Sequence, residues 1–314
     1  MHVKKVCILG GGGFVGHHIA SRLAAQGVQL CIPTRRRERV KDLTCLPTAE
    51  VVEADIHDPA ALATLFREAD AVINLVGILH GSRQAFEQAH VELPRKVVEA
   101  CRAAGVGRLL HMSALGADTA SKSVYQQTKA RGEALVLAAH GEGLAVTAFR
   151  PSVIFGPGDS FLTMFAQMLR LAPVMPLAGA FARFQPVYVA DVARAYAESL
   201  EEPATFGRAY NLCGPRVYSL EELVRLTAEA LGLRRRIIPL GKGATRLMAT
   251  LMEFKPGRKL MTRDNYYAML SDNVCAEGHP EPFGAATPLE AVIGYLREQN
   301  PRRSYDGFRS QAHR

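Results

Sequence analysis

Tyr125 and Lys129 are the pair in this sequence whose types and spacing most directly imply chemistry. They stand four residues apart in a stretch of helical periodicity, 123–140, so both side chains fall on one helix face. An ammonium beside a phenol lowers the phenol's pKa, and the phenol can then exchange a proton with a carbonyl or an alcohol. Ser113, just past an apolar run at 109–112, supplies a nearby hydroxyl that can bind the substrate oxygen. These three are the candidate catalytic residues. The spacing Y-x-x-x-K is common by itself and gains meaning from what precedes it.

What precedes it is a glycine cluster. Gly10-Gly11-Gly12-Gly13-Phe14-Val15-Gly16 satisfies both G-x-G-x-x-G and G-x-x-G-x-x-G. It follows the apolar run 3–9 and opens the helical pattern 15–26, where free backbone amides and the helix dipole can hold a pyrophosphate with no side chain in the way. Gly10, Gly13, Phe14, Val15 and Gly16 are therefore candidate dinucleotide contacts, and Lys129 is placed to bond a nicotinamide ribose. The second apolar run, 28–33, ends in Thr34-Arg35-Arg36-Arg37, where an NAD-preferring domain carries an acid on the ribose hydroxyl. The acid is missing. Guanidinium groups there can pair with a 2′-phosphate, so Arg35 and Arg36 predict NADP(H) in preference to NAD(H); the bland alternative is a solvated basic turn. Asp55 is placed to accept from an adenine amino group, with a cap or turn role for Asp55 or Asp58 as the alternative.

The elements that must position these residues follow an alternating rhythm. Short apolar runs at 3–9, 28–33, 51–52, 71–76 and 109–112 are separated by helical patterns at 15–26, 60–66 and 94–104. A sixth strand is expected at 144–149. Fully apolar strands joined by helices predict an α/β fold: a Rossmann-type, doubly wound parallel sheet with ligand sites at the carboxyl ends of its strands. The rhythm breaks at Gly156-Pro157-Gly158 and through 169–179. The expected division is a dinucleotide-binding domain over 1–151 and a smaller, mixed C-terminal substrate lobe over 152–314, with 189–212 returning to the first domain. From 219 onward the chain reads as helical, with an amphipathic stretch at 244–254 and a frayed basic end at 301–314. The apolar Leu247, Met248, Leu251 and Met252 read as core packing, or as an adaptable groove for a hydrophobic ligand.

Composition narrows the class. With 314 residues, 48% of them hydrophobic, the chain is long enough for one large core or two. No stretch has signal-peptide form or transmembrane length. The six cysteines show no C-x-x-C and several lie in apolar runs, which reads as reduced thiols in a cytoplasmic protein. A net charge of +8 is scattered, apart from 35–39, 234–236 and the tail, and no nucleic-acid reader motif accompanies it. An anionic cofactor or membrane surface is the milder expectation. The ten histidines form no metal set, and no G-x-S-x-G elbow supports acyl transfer.

Taken together, Gly10, Gly13 and Gly16, Asp55, Asn74-Leu75-Val76-Gly77, Tyr125 with Lys129, Arg150-Pro151, Phe155-Gly156-Pro157-Gly158-Asp159 and Pro186-Val187-Tyr188-Val189-Ala190-Asp191-Val192-Ala193 resemble the extended short-chain dehydrogenase/reductase superfamily, which includes nucleotide-sugar epimerases and dehydratases. More narrowly, His111-Met112-Ser113-Ala114-Leu115-Gly116-Ala117 and Leu260-Met261-Thr262-Arg263-Asp264 are similar to the subgroup containing the nucleotide-binding accessory subunit of respiratory complex I and its bacterial relatives. The resemblance implies further cofactor contacts at Ile56, Val76, Gly77 and Pro151, and a carbonyl/alcohol substrate that is either a nucleotide sugar or a quinone- or isoprenoid-like molecule. It also implies either an oxidoreductase or epimerase, or a non-catalytic, nucleotide-stabilised accessory protein held peripherally on a respiratory complex or the inner membrane. One position departs from the pattern. The superfamily usually places a hydroxyl two residues past the first serine after the fifth strand, and this chain has Leu115 there.

Overall fold

Small and branched apolar residues bury 6–9 of Lys5–Leu9 (β1) and 30–33 of Gln29–Thr34 (β2), and α1 (Phe14–Ala25) crosses between the two strands. The computed structural model describes residues 2–241, 243, 263–268 and 271–298. The chain continues through β3 (Ala49–Glu53), α2 (Pro59–Phe66), β4 (Ala71–Asn74), α3 (Arg83–Glu87), α4 (Leu93–Ala104), β5 (Arg108–Met112), α5 (Val124–Ala138) and β6 (Ala145–Pro151). Then come β7 (Ile154–Phe155), α6 (Phe161–Leu171), β8 (Val174–Leu177), β9 (Arg183–Phe184), β10 (Val187–Tyr188), α7 (Val189–Ser199), β11 (Arg208–Leu212), β12 (Tyr218–Ser219), α8 (Leu220–Ala230) and β13 (Arg236–Pro239).

Seven of these strands form one parallel sheet in the order β11-β6-β5-β4-β1-β2-β3. The chain winds outward from β1 through β2 to β3 and then returns to place β4 on the other side of β1. This is the topological switch point at which such sheets open a crevice beyond their carboxyl ends. Helices α1 and α7 cover one face through Ile19, Leu23, Val192 and Tyr196; α2 and α4 cover the other through Leu62, Phe66, Val97 and Cys101. A separate core joins α6, β8, α8 and β13 through Leu162, Leu169, Leu177, Leu223 and Ile237.

One buried charge holds the sheet together at its amino end. Arg108 is wholly inaccessible and has no carboxylate partner among the described residues; its guanidinium donates to Thr147 Oγ1 (2.7 Å), Ser199 O (2.8 Å) and Thr205 Oγ1 (3.0 Å). Burial pushes its pKa down to about 9. These bonds tie β5 to β6 and to the end of α7.

The parallel α/β sheet is the one the apolar rhythm predicts, with two differences. The structure ends β4 at Asn74 rather than 76, and the stretch 219 onward is not continuously helical, because Arg236–Pro239 pairs with β8 as a parallel strand. Consecutive Ile237 and Ile238 before a proline favour extended backbone over helix. The expectation of six reduced cysteines is also corrected: Cys213 and Cys275, 62 residues apart with Cα atoms at 6.3 Å, are disulfide-bonded. Their separation hid a proximity created when the 271–298 segment returns to the end of β11. Cys7, Cys31 and Cys101 are free and buried, and Cys45 is free and exposed. The stretches 244–254 and 301–314, with Leu247, Met248, Leu251 and Met252, lie outside the described residues.

Candidate active site

The glycine turn leaves β1 with Gly10 at φ +79°, a left-handed conformation, and enters α1 at Gly13. A Cβ on Gly16 would lie 2.5 Å from Gly10 O and from Gly11 Cα, so this glycine lets the helix pack directly on the turn. A Cβ on Gly13 would meet only Gly10 O, at 3.2 Å. No side chain caps α1 and no acid occupies its first turn, leaving its amino end open to an anion. A cleft of about 430 Å³ opens here, lined by Gly10, Gly13, Arg35, Ile56 and Val76 among others. Donors without competing side chains, a positive dipole and room beyond Gly13 all fit a dinucleotide pyrophosphate.

The remaining candidate contacts fall around this cleft. Arg35 lines it and Arg36 is exposed beside it; among the described residues neither guanidinium forms an ion pair. Asp55 is exposed and its Oδ1 accepts the His57 backbone N–H at 3.0 Å, while Asp58 caps α2 through Ala60 N. Phe14 meets His18 edge-on at 5.6 Å, and Val15 packs against the sheet core. The Cβ position of Gly77 is 3.6 Å from His90 Nε2 and 3.7 Å from Lys129 Nζ, so a side chain there would crowd both. Pro151 ends β6, and its carbonyl accepts Leu115 N at 3.0 Å.

The acid/base residues gather where α5 passes the end of β5. Ser123 caps α5, which carries Tyr125 and Lys129. The Tyr125 ring lies edge-on to His90 at 5.4 Å and to Phe86 at 6.2 Å. Lys129 Nζ donates to Met112 O at 2.6 Å, and burial pushes its pKa down to about 8. Ser113 follows Met112; it is buried, and among the described residues its hydroxyl has no hydrogen-bond partner. The sequence expectation that Lys129 lowers the phenol's pKa is reversed: burial first, and then the carboxylate of Asp264, push Tyr125 up to about 12.

Three further participants were not among the candidate site residues read from the sequence. His90 is buried; its Nε2 accepts Ile78 N at 3.1 Å, which leaves the ring proton on Nδ1 facing Thr128 Oγ1 at 3.0 Å. Burial, with the neighbouring Lys129 charge, holds its pKa near 3, so the imidazole is neutral. Asp264 accepts from Val124 N and Ser123 Oγ at the start of α5. Asn273 Oδ1 accepts from Ser152 Oγ (2.5 Å) and Val153 N (3.2 Å), and its Nδ2 donates to Leu115 O (3.2 Å). Only Asp264 had any sequence clue, as the last residue of the segment 260–264.

Residues 6–213 match the NAD dependent epimerase/dehydratase family. The chain belongs to this family. It is an extended short-chain dehydrogenase/reductase with relatives of more than one kind. It is 27% identical over 271 residues to the mitochondrial NADH-ubiquinone oxidoreductase 40 kDa subunit of Neurospora crassa, covering 85% of this chain and 71% of that one. It is 30% identical over 236 residues to a ceramide reductase of Caulobacter vibrioides, covering 75% and 73%. In fold it is similar to dTDP-glucose 4,6-dehydratase from Streptomyces venezuelae, solved with NAD bound, with a TM-score of 0.70 and 21% identity over 94% of this chain and 97% of that one. Among the described residues of this family member no helix is long and apolar enough to cross a membrane, and no three His, Cys, Asp or Glu side chains converge to hold a metal.

Proposed function

We propose that this family member is an NADP(H)-binding oxidoreductase acting on a carbonyl or alcohol, with Tyr125 as its acid/base. The observation that carries this reading is the buried Ser113 hydroxyl. It has no hydrogen-bond partner among the described residues, and it directly follows the carbonyl that holds Lys129, on the helix face shared with Tyr125. A buried unpaired hydroxyl is costly unless something else uses it, and a substrate oxygen is the ligand its position suits.

Gly10, Gly13, Phe14, Val15 and Gly16 would hold the pyrophosphate, Arg35 and Arg36 the 2′-phosphate, Asp55 and Ile56 the adenine end, and Val76, Gly77, Lys129 and Pro151 the nicotinamide end. When bound, the nicotinamide supplies or accepts a hydride. The chain's own part is the proton: Tyr125 Oη, held protonated by its burial, donates to the substrate oxygen, and Ser113 Oγ orients that oxygen. An apolar Leu115 in place of the superfamily's usual hydroxyl favours a lipid-like or quinone-like ketone over a nucleotide sugar. The ceramide reductase relative supports the same choice.

The same Leu115, with the respiratory subunit among the relatives, favours a second reading: a nucleotide-stabilised accessory protein of a respiratory complex, peripheral to the inner membrane on its cytoplasmic side. Purified protein decides between them. NADPH oxidation on addition of lipidic ketones, lost about 100- to 10,000-fold in Tyr125→Phe with NADPH affinity nearly unchanged, supports the enzyme. Bound dinucleotide that no carbonyl compound oxidises supports the accessory protein.

A further inference from the structure

The second lobe exposes apolar side chains in one place. Six large hydrophobic residues are exposed among the described residues, and three of them, Leu171 (87%), Val174 (44%) and Ile238 (41%), lie together where α6 ends and β8 pairs with β13. The pairing explains their shared direction. Val174 is in register with Arg236, and Pro176 with Ile238; all four are exposed, whereas Met175 and Ile237, the alternate residues, are buried against α6 and α8.

Within the two segments that form this face the charge is of one sign. Residues 169–177 and 231–240 contain Arg170, Arg234, Arg235 and Arg236 and no acid. Backbone and side-chain bonds make the two segments one surface: Arg236 N donates to Pro173 O at 3.0 Å, and Arg235 Nε donates to Leu169 O at 2.7 Å. None of these residues lines the dinucleotide cleft. Scattered exposed hydrophobics need no explanation, but an apolar face flanked by the exposed guanidinium groups of Arg234 and Arg236 does. Its charge excludes an acid-free basic partner and suits a surface that is apolar beneath and anionic above.

We infer that the β8/β13 face is a docking surface for an anionic lipid bilayer, with Leu171, Val174 and Ile238 entering the interfacial layer and Arg234 and Arg236 pairing with lipid phosphates. This surface acts whether or not the cleft turns over a substrate, and its test leaves the cleft untouched.

The test is co-sedimentation of the full chain with phosphatidylcholine vesicles, with and without phosphatidylglycerol, at low and high salt. Binding is expected only with the anionic lipid, weakening with salt, and falling about tenfold or more in Arg234→Glu/Arg236→Glu. Val174→Glu/Ile238→Glu should fall comparably, while NADPH binding in both variants stays at the parent value and reports an intact fold. Equal binding by parent and variants would place any membrane contact elsewhere and overturn the assignment. So would a failure to bind anionic vesicles at low salt, or a dimer in solution that Val174→Glu/Ile238→Glu dissociates.

Discussion

Asp264 Oδ1 accepts the backbone N–H of Val124 at 2.7 Å, joining residues 140 positions apart. Oδ2 of the same carboxylate takes the Ser123 hydroxyl at 2.8 Å, so the helix bearing Tyr125 begins on a charge supplied from the far end of the chain. A carboxylate at a helix amino end is stabilising, and the same charge disfavours ionisation of a nearby phenol. Asp264 thus anchors α5 and adds to the effect of burial on the proton affinity of its tyrosine.

Asp264→Asn keeps an acceptor for Val124 N and removes the charge. The Tyr125 phenol, pushed up to about 12 in the parent, should then titrate lower, read as the difference in ultraviolet titration between each protein and its Tyr125→Phe counterpart. Loss of the charged cap should also cost about 1 kcal/mol of stability. An unchanged phenol titration would show that burial alone sets it.

The proposed preference for NADP(H) rests on Arg35 and Arg36. Arg35 lines the cleft, and no ion pair among the described residues competes for either guanidinium. A charge-assisted bond to a 2′-phosphate is worth about 1.5 to 3 kcal/mol, or roughly one to two decades of affinity. Titration calorimetry should find NADPH tighter than NADH by that factor, and Arg35→Ala/Arg36→Ala should abolish the difference. Equal affinities in the parent would refute the preference.

His90 makes the fold sensitive to acid. Its pKa is about 3 when folded and about 6.5 when unfolded, so between these values the unfolded chain binds the additional proton. Stability therefore rises with pH through this window, is fully present above about 6.5, and is lost as pH falls toward 3. At pH 4.5 the loss should be roughly 2 to 3 kcal/mol. His90→Gln retains an acceptor for Ile78 N without the titration, and denaturant unfolding at pH 7.5 and pH 4.5 should show a smaller difference than in the parent. A difference of the same size would assign the acid sensitivity to other groups.

The sheet was legible because β1, β2, β4 and β5 are mostly apolar and buried on both faces, and each is punctuated by a helix of different period. The glycine turn was legible for the same reason, since its place between strand and helix distinguishes it from any other glycine run. The far half of the site was not. His90 lies in a π-helical turn, Gln88–Glu92, whose residues show no period, and its neutrality depends on burial by α5. Asp264 and Asn273 act on loops more than a hundred residues upstream, so their roles exist only in the folded chain. The phenol's raised pKa could not be read either: the Y-x-x-x-K spacing places the ammonium on the same face, but the Met112 carbonyl and the Asp264 carboxylate come from other elements.

Two glycines of the turn, Gly16 and Gly13, differ in what a side chain would meet, and substitution should separate a role in the fold from room for a ligand. At Gly16 a methyl group would overlap the backbone of Gly10 and Gly11 at 2.5 Å, and neither can move without displacing β1 or α1. Overpacking of this kind costs about 1 to 3 kcal/mol or more, so Gly16→Ala should melt several degrees lower in the absence of nucleotide. At Gly13, φ is −84° and suits any residue, and the added methyl would meet only Gly10 O at 3.2 Å before pointing into the cleft. Gly13→Ala should therefore melt close to the parent without nucleotide, yet bind NADPH at least roughly tenfold more weakly and lose most of the thermal shift that NADPH confers. If Gly13→Ala binds NADPH as the parent does, the pyrophosphate does not lie at the amino end of α1. If it unfolds as readily as Gly16→Ala, the turn has no room set aside for a ligand.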